Sequence, residues 1–385
     1  MKPKLRFKNF DNDWEEIELK NIASEIAYGM NSASKEYDGE NKYIRITDID
    51  ENSNRYSNKD MVSPDGILED RFLVKDNDIL FARTGASTGK TYLYNSNDGK
   101  LYYAGFLIKA SIINHNSNFI FQQTKLNKYK NWIKIMSMRS GQPGINSQEY
   151  GSYKFSITNI DEENKVSNFL SLLDKKIELQ SKKIKDLKLF KKGLHNKLFN
   201  ETNGENYLLY NIAQFENGKG HENIVDENGN YILINSKFIS TDGNVFKNCN
   251  EQLTPLYKED ITMVMSDLPN GKALAKCYYI ESDNKYSLNQ RICRINIKNK
   301  EKFNSKYLFY ILNRNPYYLK FDDGVNQTNL KKDDILKINL NIPDKTIQDK
   351  NANILTLIDK IIIKELSKLD SLNSLKKGLM QNMFV

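Results

Sequence analysis

Two stretches of the chain carry apolar residues at alternating intervals of three and four. In the first they fall at Leu170, Leu173, Ile177, Ile184, Leu187, Leu194 and Leu198, with Gln180 and Lys191 at the two steps where the series is interrupted. In the second they fall at Leu355, Ile358, Ile362, Leu369, Leu372, Leu379 and Met383, and Glu365 and Lys376 interrupt it at the same two steps. Core helices rarely keep so narrow a stripe over four or more heptads, so the pattern predicts a coiled-coil seam. Neither stretch contains proline, and both are rich in Leu and Lys with Glu or Ile. Each therefore predicts one helix of about 35 residues, roughly 50 Å at 1.5 Å per residue. A helix of that length outruns a globular domain, and the simplest cover for each stripe is the other copy.

The copies align without a gap, SLLDKKIELQSKKIKDLKLFKKGLHNKLF (171–199) on TLIDKIIIKELSKLDSLNSLKKGLMQNMF (356–384), a constant 185 residues apart. Upstream, SGQPGINSQEYGSYKFSI (140–157) matches DGVNQTNLKKDDILKINL (323–340), with Asn146 opposite Asn329. Earlier still, NKYIRITDI (41–49) resembles GNYILINSK (229–237), and FLVKDNDILFARTGASTGKTYLY (72–94) resembles LYKEDITMVMSDLPNGKALAKCYYI (256–280). Here the alternation has the period of strands. The order is globular unit, long helix, globular unit, long helix.

This predicts an α+β fold with a pseudo-twofold internal repeat, in which two similar globular domains (1–157 and 204–342) are joined by two long helices (158–203 and 343–385). Each helix must hand the chain to the opposite domain, so the pair is expected antiparallel. Its pairing residues would be Leu173, Ile177, Ile184, Leu187 and Leu194 on one helix and Ile358, Ile362, Leu369, Leu372 and Leu379 on the other. A charge at Leu187 or Leu372 is expected to cost several kcal/mol.

Composition adds bounds. With 385 residues and 39% hydrophobic content the chain can bury two cores. The segment MKPKLRFKNFDNDW has no apolar stretch behind its charges, and no run of about 18 apolar residues occurs, so a cytoplasmic protein is expected. Cys249, Cys277 and Cys293 lie too far apart for a metal knuckle and do not suggest a disulfide framework. The net charge of +8 suits a polyanionic partner, although Lys and Asn are abundant throughout.

The motifs that resemble chemistry fail on inspection. GASTGKT (85–91) has Thr84 where a phosphate loop needs its first glycine, and better suits a loop where backbone, Arg83 and Lys90 approach phosphate or a base edge. NPYY (315–318) lacks one proline of the Asn-Pro-Pro-Tyr loop of amino-methyltransferases and reads as a local helix break. His115, His195 and His221 have no metal-ligand companion at i+3 or i+4. No catalytic constellation emerges.

PKLRFKNFDNDWEEIELKNIA (3–23), DNDILFARTGASTGKTYLY (76–94) with YYAGFLI (102–108), SLNQRICRI (287–295) as their counterpart, and the LLDKKI and LIDKII helices ending in KKGL together carry a resemblance. In them the chain resembles the specificity subunits of type I restriction-modification systems. That family commonly enters each helix through Pro and then Glu-Gln. Here Glu163-Asn164 has no preceding Pro, and Gln348-Asp349 follows Pro343. The resemblance implies a non-catalytic subunit in which each globular unit is a target recognition domain for one half of a split site in double-stranded DNA. It further implies that the helices set the spacer and dock methyltransferase subunits, two of them, with restriction (helicase-nuclease) subunits joining through the complex. No cofactor would be bound by this chain. AdoMet, ATP and Mg would belong to the partners, in the bacterial cytoplasm, and no membrane is involved.

Side-chain chemistry and loop position nominate DNA contacts: Arg83, Thr84, Ser87, Lys90, Arg139 and Gln142 in the first head, and Ser266, Asn270, Lys272, Asn289, Gln290, Arg291 and Gln327 in the second. Two other classes stay open: a DNA-modifying enzyme in its own right, and a stand-alone DNA-binding or coiled-coil scaffold protein.

Overall fold

The computed structural model describes residues 1–51, 53–138, 143–200 and 203–385. The chain divides into two compact units, Met1–Ser181 with Ser367–Val385, and Lys182–Leu366. Two long helices, Ile160–Asn200 and Lys345–Met383, each contribute to both. The expected α+β architecture of two similar heads and two long helices is what the structure contains.

In the first unit, a four-stranded antiparallel sheet has the order Ala23–Tyr28, Leu107–Ile112, Asp78–Ala82, Thr91–Leu93. The second unit repeats it with Ala213–Asn217, Ile292–Ile297, Ile261–Val264 and Cys277–Tyr279. Beside each lies a parallel pair, Lys42–Ile44 with Leu101–Tyr103 and Tyr231–Ile234 with Tyr286–Leu288. A third pair in each unit, Glu15–Glu18 with Lys154–Ile157 and Glu205–Leu208 with Asn339–Ile342, leads the chain to its long helix.

The repeat is truer in space than in the sequence pairing above. The parallel pairs place Ile44 opposite Tyr103 and Ile234 opposite Leu288, so Ile44 corresponds to Ile234, not to Ile232. The slip is two residues, which leaves every side chain on its proper face and so escapes a reading based on alternation. Likewise Asn146 corresponds to Lys331 rather than to Asn329. Each of these stands before a short helix (Ser147–Ser152, Lys332–Leu336) and gives its N–H to the carboxylate three residues on, Glu149 at 2.8 Å and Asp334 at 2.8 Å.

Both long helices begin on equivalent caps, the Asn159 side chain accepting from Glu162 N and the Asp344 side chain from Ile347 N. The Glu163-Asn164 and Gln348-Asp349 pairs then tie each helix to its head. Glu163, fully buried, accepts the Asn116 N–H (2.8 Å), and Asn164 accepts from the Asn116 side chain (2.7 Å). Gln348 accepts the Asn304 N–H (2.8 Å), and Asp349 accepts from the Asn304 side chain (2.6 Å). Asn116 and Asn304 are themselves the caps of helices Ser117–Gln123 and Ser305–Leu312, so each pair fixes a head helix at its N-terminus.

Within each unit the long helices pack antiparallel. In the first, Lys376 pairs with Asp174, and Leu170 shares a core with Met380 and Met383. In the second, Lys183 pairs with Glu365 (3.1 Å) and Lys191 with Asp359 (2.5 Å). The Asp174–Lys376 and Asp359–Lys191 pairs are the same interaction displaced by the repeat, and they account for the interruptions at Lys191 and Lys376. Leu173, Ile184, Ile358 and Ile362 are buried. Ile177, Leu187, Leu194, Leu369, Leu372 and Leu379 are half-buried.

Each head has its own core. In the first unit Trp14, Phe81, Phe119, Tyr129 and Phe155 meet Val166 and Leu170 of one long helix and Met380, Met383 and Phe384 from the end of the other. In the second, Ile261, Met263, Cys277, Cys293, Ile295 and Tyr307 meet Ala352. All three cysteines are free and buried, and burial pushes the Cys277 and Cys293 thiols up, so they act as small apolar side chains. Among the described residues no helix is long and apolar enough to cross a membrane.

Candidate nucleic-acid interface

Where the central strand of each sheet ends, four segments of backbone lie side by side. In the first unit Arg83 N donates to Phe106 O (3.0 Å), Ile145 N to Arg83 O (2.9 Å), Gly29 N to Leu107 O (3.1 Å) and Gly105 N to Met30 O (2.8 Å). In the second, Met265 N donates to Arg291 O (3.0 Å), Leu330 N to Met265 O (2.8 Å), Gly218 N to Ile292 O (3.0 Å) and Gln290 N to Lys219 O (3.0 Å). The main chain is thus laid out twice in one pattern. A Cβ on Gly29 would stand 2.2 Å from the Ala104 carbonyl oxygen, and one on Gly218 would stand 2.1 Å from that of Asn289. Only glycine permits so close a backbone approach.

The side chains on this shared scaffold differ. Arg83 corresponds to Met265, Phe106 to Arg291, Gly105 to Gln290, Ala104 to Asn289 and Met30 to Lys219.

In the first head, the Arg83 guanidinium lies 4.9 Å from the Tyr28 ring centroid, and its buried Nε has no hydrogen-bond partner among the described residues. Tyr28 is anchored in turn by its hydroxyl, which accepts from Ser147 N (3.1 Å). Thr84 bridges to Gly144, and the short turn Gly85–Ser87 follows, closed by Lys90 N donating to Ser87 O (3.0 Å). Lys90 is engaged with Glu51 at 2.8 Å. Arg139 and Gln142 lie outside the described residues.

In the second head, Ser266, Asn270 and Gln327 are brought together. Gln327 Nε2 donates to Ser266 Oγ (2.7 Å), while Asn270 gives its N–H to Asp322 (3.1 Å) and its side-chain amide to Gly324 O (3.2 Å). Lys272 is exposed. Asn289, Gln290 and Arg291 form the turn beside Met265: Asn289 Oδ1 is buried without a partner among the described residues, Gln290 bonds Glu222, and Arg291 is exposed at φ +68°. Below this turn, buried His221 contacts Lys219 O (2.7 Å) and Ser287 Oγ (2.7 Å), supporting the loop.

Sequence reasoning passed over Tyr28, Phe106, Lys219 and the two glycines. Phe106 is 57% exposed at a turn tip, and the pairing of YYAGF with SLNQR could have exposed it as the counterpart of Arg291. The residues of NPYY serve packing: Asn315 caps the short helix Pro316–Leu319, and the Tyr318 hydroxyl donates to Ile335 O (3.1 Å).

The heads are nearly neutral. The first long helix holds ten lysines against six carboxylates and the second seven against four, so the helices carry seven of the eight excess positive charges.

The type I restriction modification DNA specificity domain matches this sequence twice, over residues 11–189 and 180–376. The chain belongs to that family. Solved structures agree in fold. The S subunit of a type I restriction-modification system from M. genitalium superposes with a TM-score of 0.66 at 16% identity, covering 100% of this chain and 99% of that one. A chain from a structure described as the basis of complex assembly and conformational transition of the type I R-M system gives a TM-score of 0.59 at 13% identity, covering 96% of this chain and 97% of that one. The two copies of this specificity domain are the two halves of the repeat, each comprising a head and a long helix.

Proposed function

We propose that the chain is the non-catalytic specificity subunit of a type I restriction-modification complex, with residues 1–157 and 204–342 each reading one half of a bipartite duplex site. The observation that carries this is the doubled scaffold: equivalent main-chain bonds hold the four segments in both heads, while the side chains they present are different. Two readers of one design with unlike side chains suit two unlike half-sites. Bidentate Arg, Asn and Gln read base edges, while the hydroxyls of Thr84, Ser87 and Ser266 position on phosphate.

The long helices Ile160–Asn200 and Lys345–Met383 fix the unread spacer and dock two methyltransferase subunits, and restriction subunits join through the complex. AdoMet, ATP and Mg are held by those partners in the bacterial cytoplasm. Joining two weak half-site contacts on one chain raises affinity through effective concentration. The test is reconstitution. The chain alone should bind duplex DNA weakly, with steep salt dependence, and the chain with its methyltransferase partner should bind and methylate one split sequence. Methyl transfer by the purified chain alone would overturn the assignment.

A further inference from the structure

Residues 182–197 of the first long helix contain seven lysines and a single acidic residue, Asp186. Two of the lysines belong to the helix pairing, Lys183 to Glu365 and Lys191 to Asp359, and the repeat keeps both, as Lys368 and Lys376. Among the described residues, Lys182, Lys185 and Lys188, all exposed, have no ion-pair partner. The repeat replaces them with Ser367, Asp370 and Asn373. Lysines that serve the pairing are duplicated, as is Lys192 (as Lys377), and these three are not. Their task is therefore neither the pairing nor the docking of a partner that binds both copies alike.

At about 100° per residue, Lys182, Lys185, Lys188 and Lys192 fall within roughly 120° of the helix circumference, on the side away from Ile184, Leu187 and Lys191. They span about 15 Å along the axis. One DNA strand presents a phosphate every 3.4 Å or so, and thus roughly four phosphates over that length. We propose that this face, on residues 182–192, holds the phosphate backbone of the bound duplex, without regard to sequence. The inference rests on the DNA-reading function above and locates its non-specific part on a helix, where the charge is, rather than on the nearly neutral heads.

The experiment is a salt titration of the full chain on a 30-base-pair duplex of arbitrary sequence, comparing wild type with Lys182→Gln/Lys185→Gln/Lys188→Gln. The slope of log K against log salt should fall by about 2–3, near 0.9 for each lost phosphate contact, and the corresponding Lys→Arg triple should restore it. A charge-matched control on the other helix, Lys360→Gln/Lys364→Gln/Lys377→Gln, should leave the slope in place. An unchanged slope in the first triple, an equal fall in the control, or a defect confined to assembly with the methyltransferase would overturn the proposal. A wild-type chain with no salt-dependent DNA binding would instead overturn the reading beneath it.

Discussion

Glu162 lies fully buried at the start of the first long helix and receives four hydrogen bonds: two from Arg6 (2.7 and 2.7 Å), one from Trp14 Nε1 (3.1 Å) and one from Thr158 Oγ1 (2.6 Å). Burial is the largest single influence and pushes its carboxyl up, but the Arg6, Thr158 and Trp14 bonds together outweigh it and hold the group below the usual range. A depressed carboxylate contributes stability that is full above its unfolded pKa, near 4.5, and is lost as pH falls through the folded value. Arg6→Gln should therefore cost about 3 kcal/mol in urea unfolding at pH 7, and the difference from wild type should narrow below about pH 4. Lys125 behaves oppositely. Burial, then the nearby Lys376, pulls its amine down to about 8, so the unfolded chain binds more protons between that value and 10.5 and wild-type stability should rise with pH there. Lys125→Met should be more stable at pH 7 by on the order of 2 kcal/mol and should lose that rise. Gly29→Ala and Gly218→Ala should each cost about 1–3 kcal/mol, because a methyl group must displace backbone. Neither glycine could be singled out from sequence, since the need arises where Gly29 meets Ala104 and Gly218 meets Asn289, segments far apart in the chain.

At the scale of elements, what repeats along the chain was readable and what depends on pairing was not. The three-and-four spacing marks both long helices, and the interruptions at Lys191 and Lys376 are repeated because each finds an aspartate on the facing helix. The Glu163-Asn164 and Gln348-Asp349 pairs stood in the sequence, yet their shared partner, a cap asparagine, became visible only in space. Head registers slipped by two residues because alternation has period two. The expected cost of a charge at Leu187 or Leu372 also needs correction. Both are half-buried, because a pair of helices leaves the flanks of its seam open to water, and a long charged side chain can reach out. Leu187→Lys should cost about 1 kcal/mol, whereas Leu355→Ala, at a position with no exposure, should cost about 3 kcal/mol, both measured by thermal or urea unfolding.

In the whole molecule, the heads would read the sequence and the helices would set the spacing. If the helices set the gap, inserting four residues after Gln180 and four after Glu365 adds about 6 Å of helix while nearly preserving the seam. Both half-sites should then persist with an unread spacer longer by one or two base pairs, at about 3.4 Å each. Whether each head reads its own half-site is tested most directly by methylome sequencing of cells in which residues of roughly 10–155 are exchanged for the corresponding head of a relative. One half of the methylated sequence should change while the other half and the spacer length stay the same. An exchange that altered both halves, or neither, would contradict the assignment of one half-site to each head.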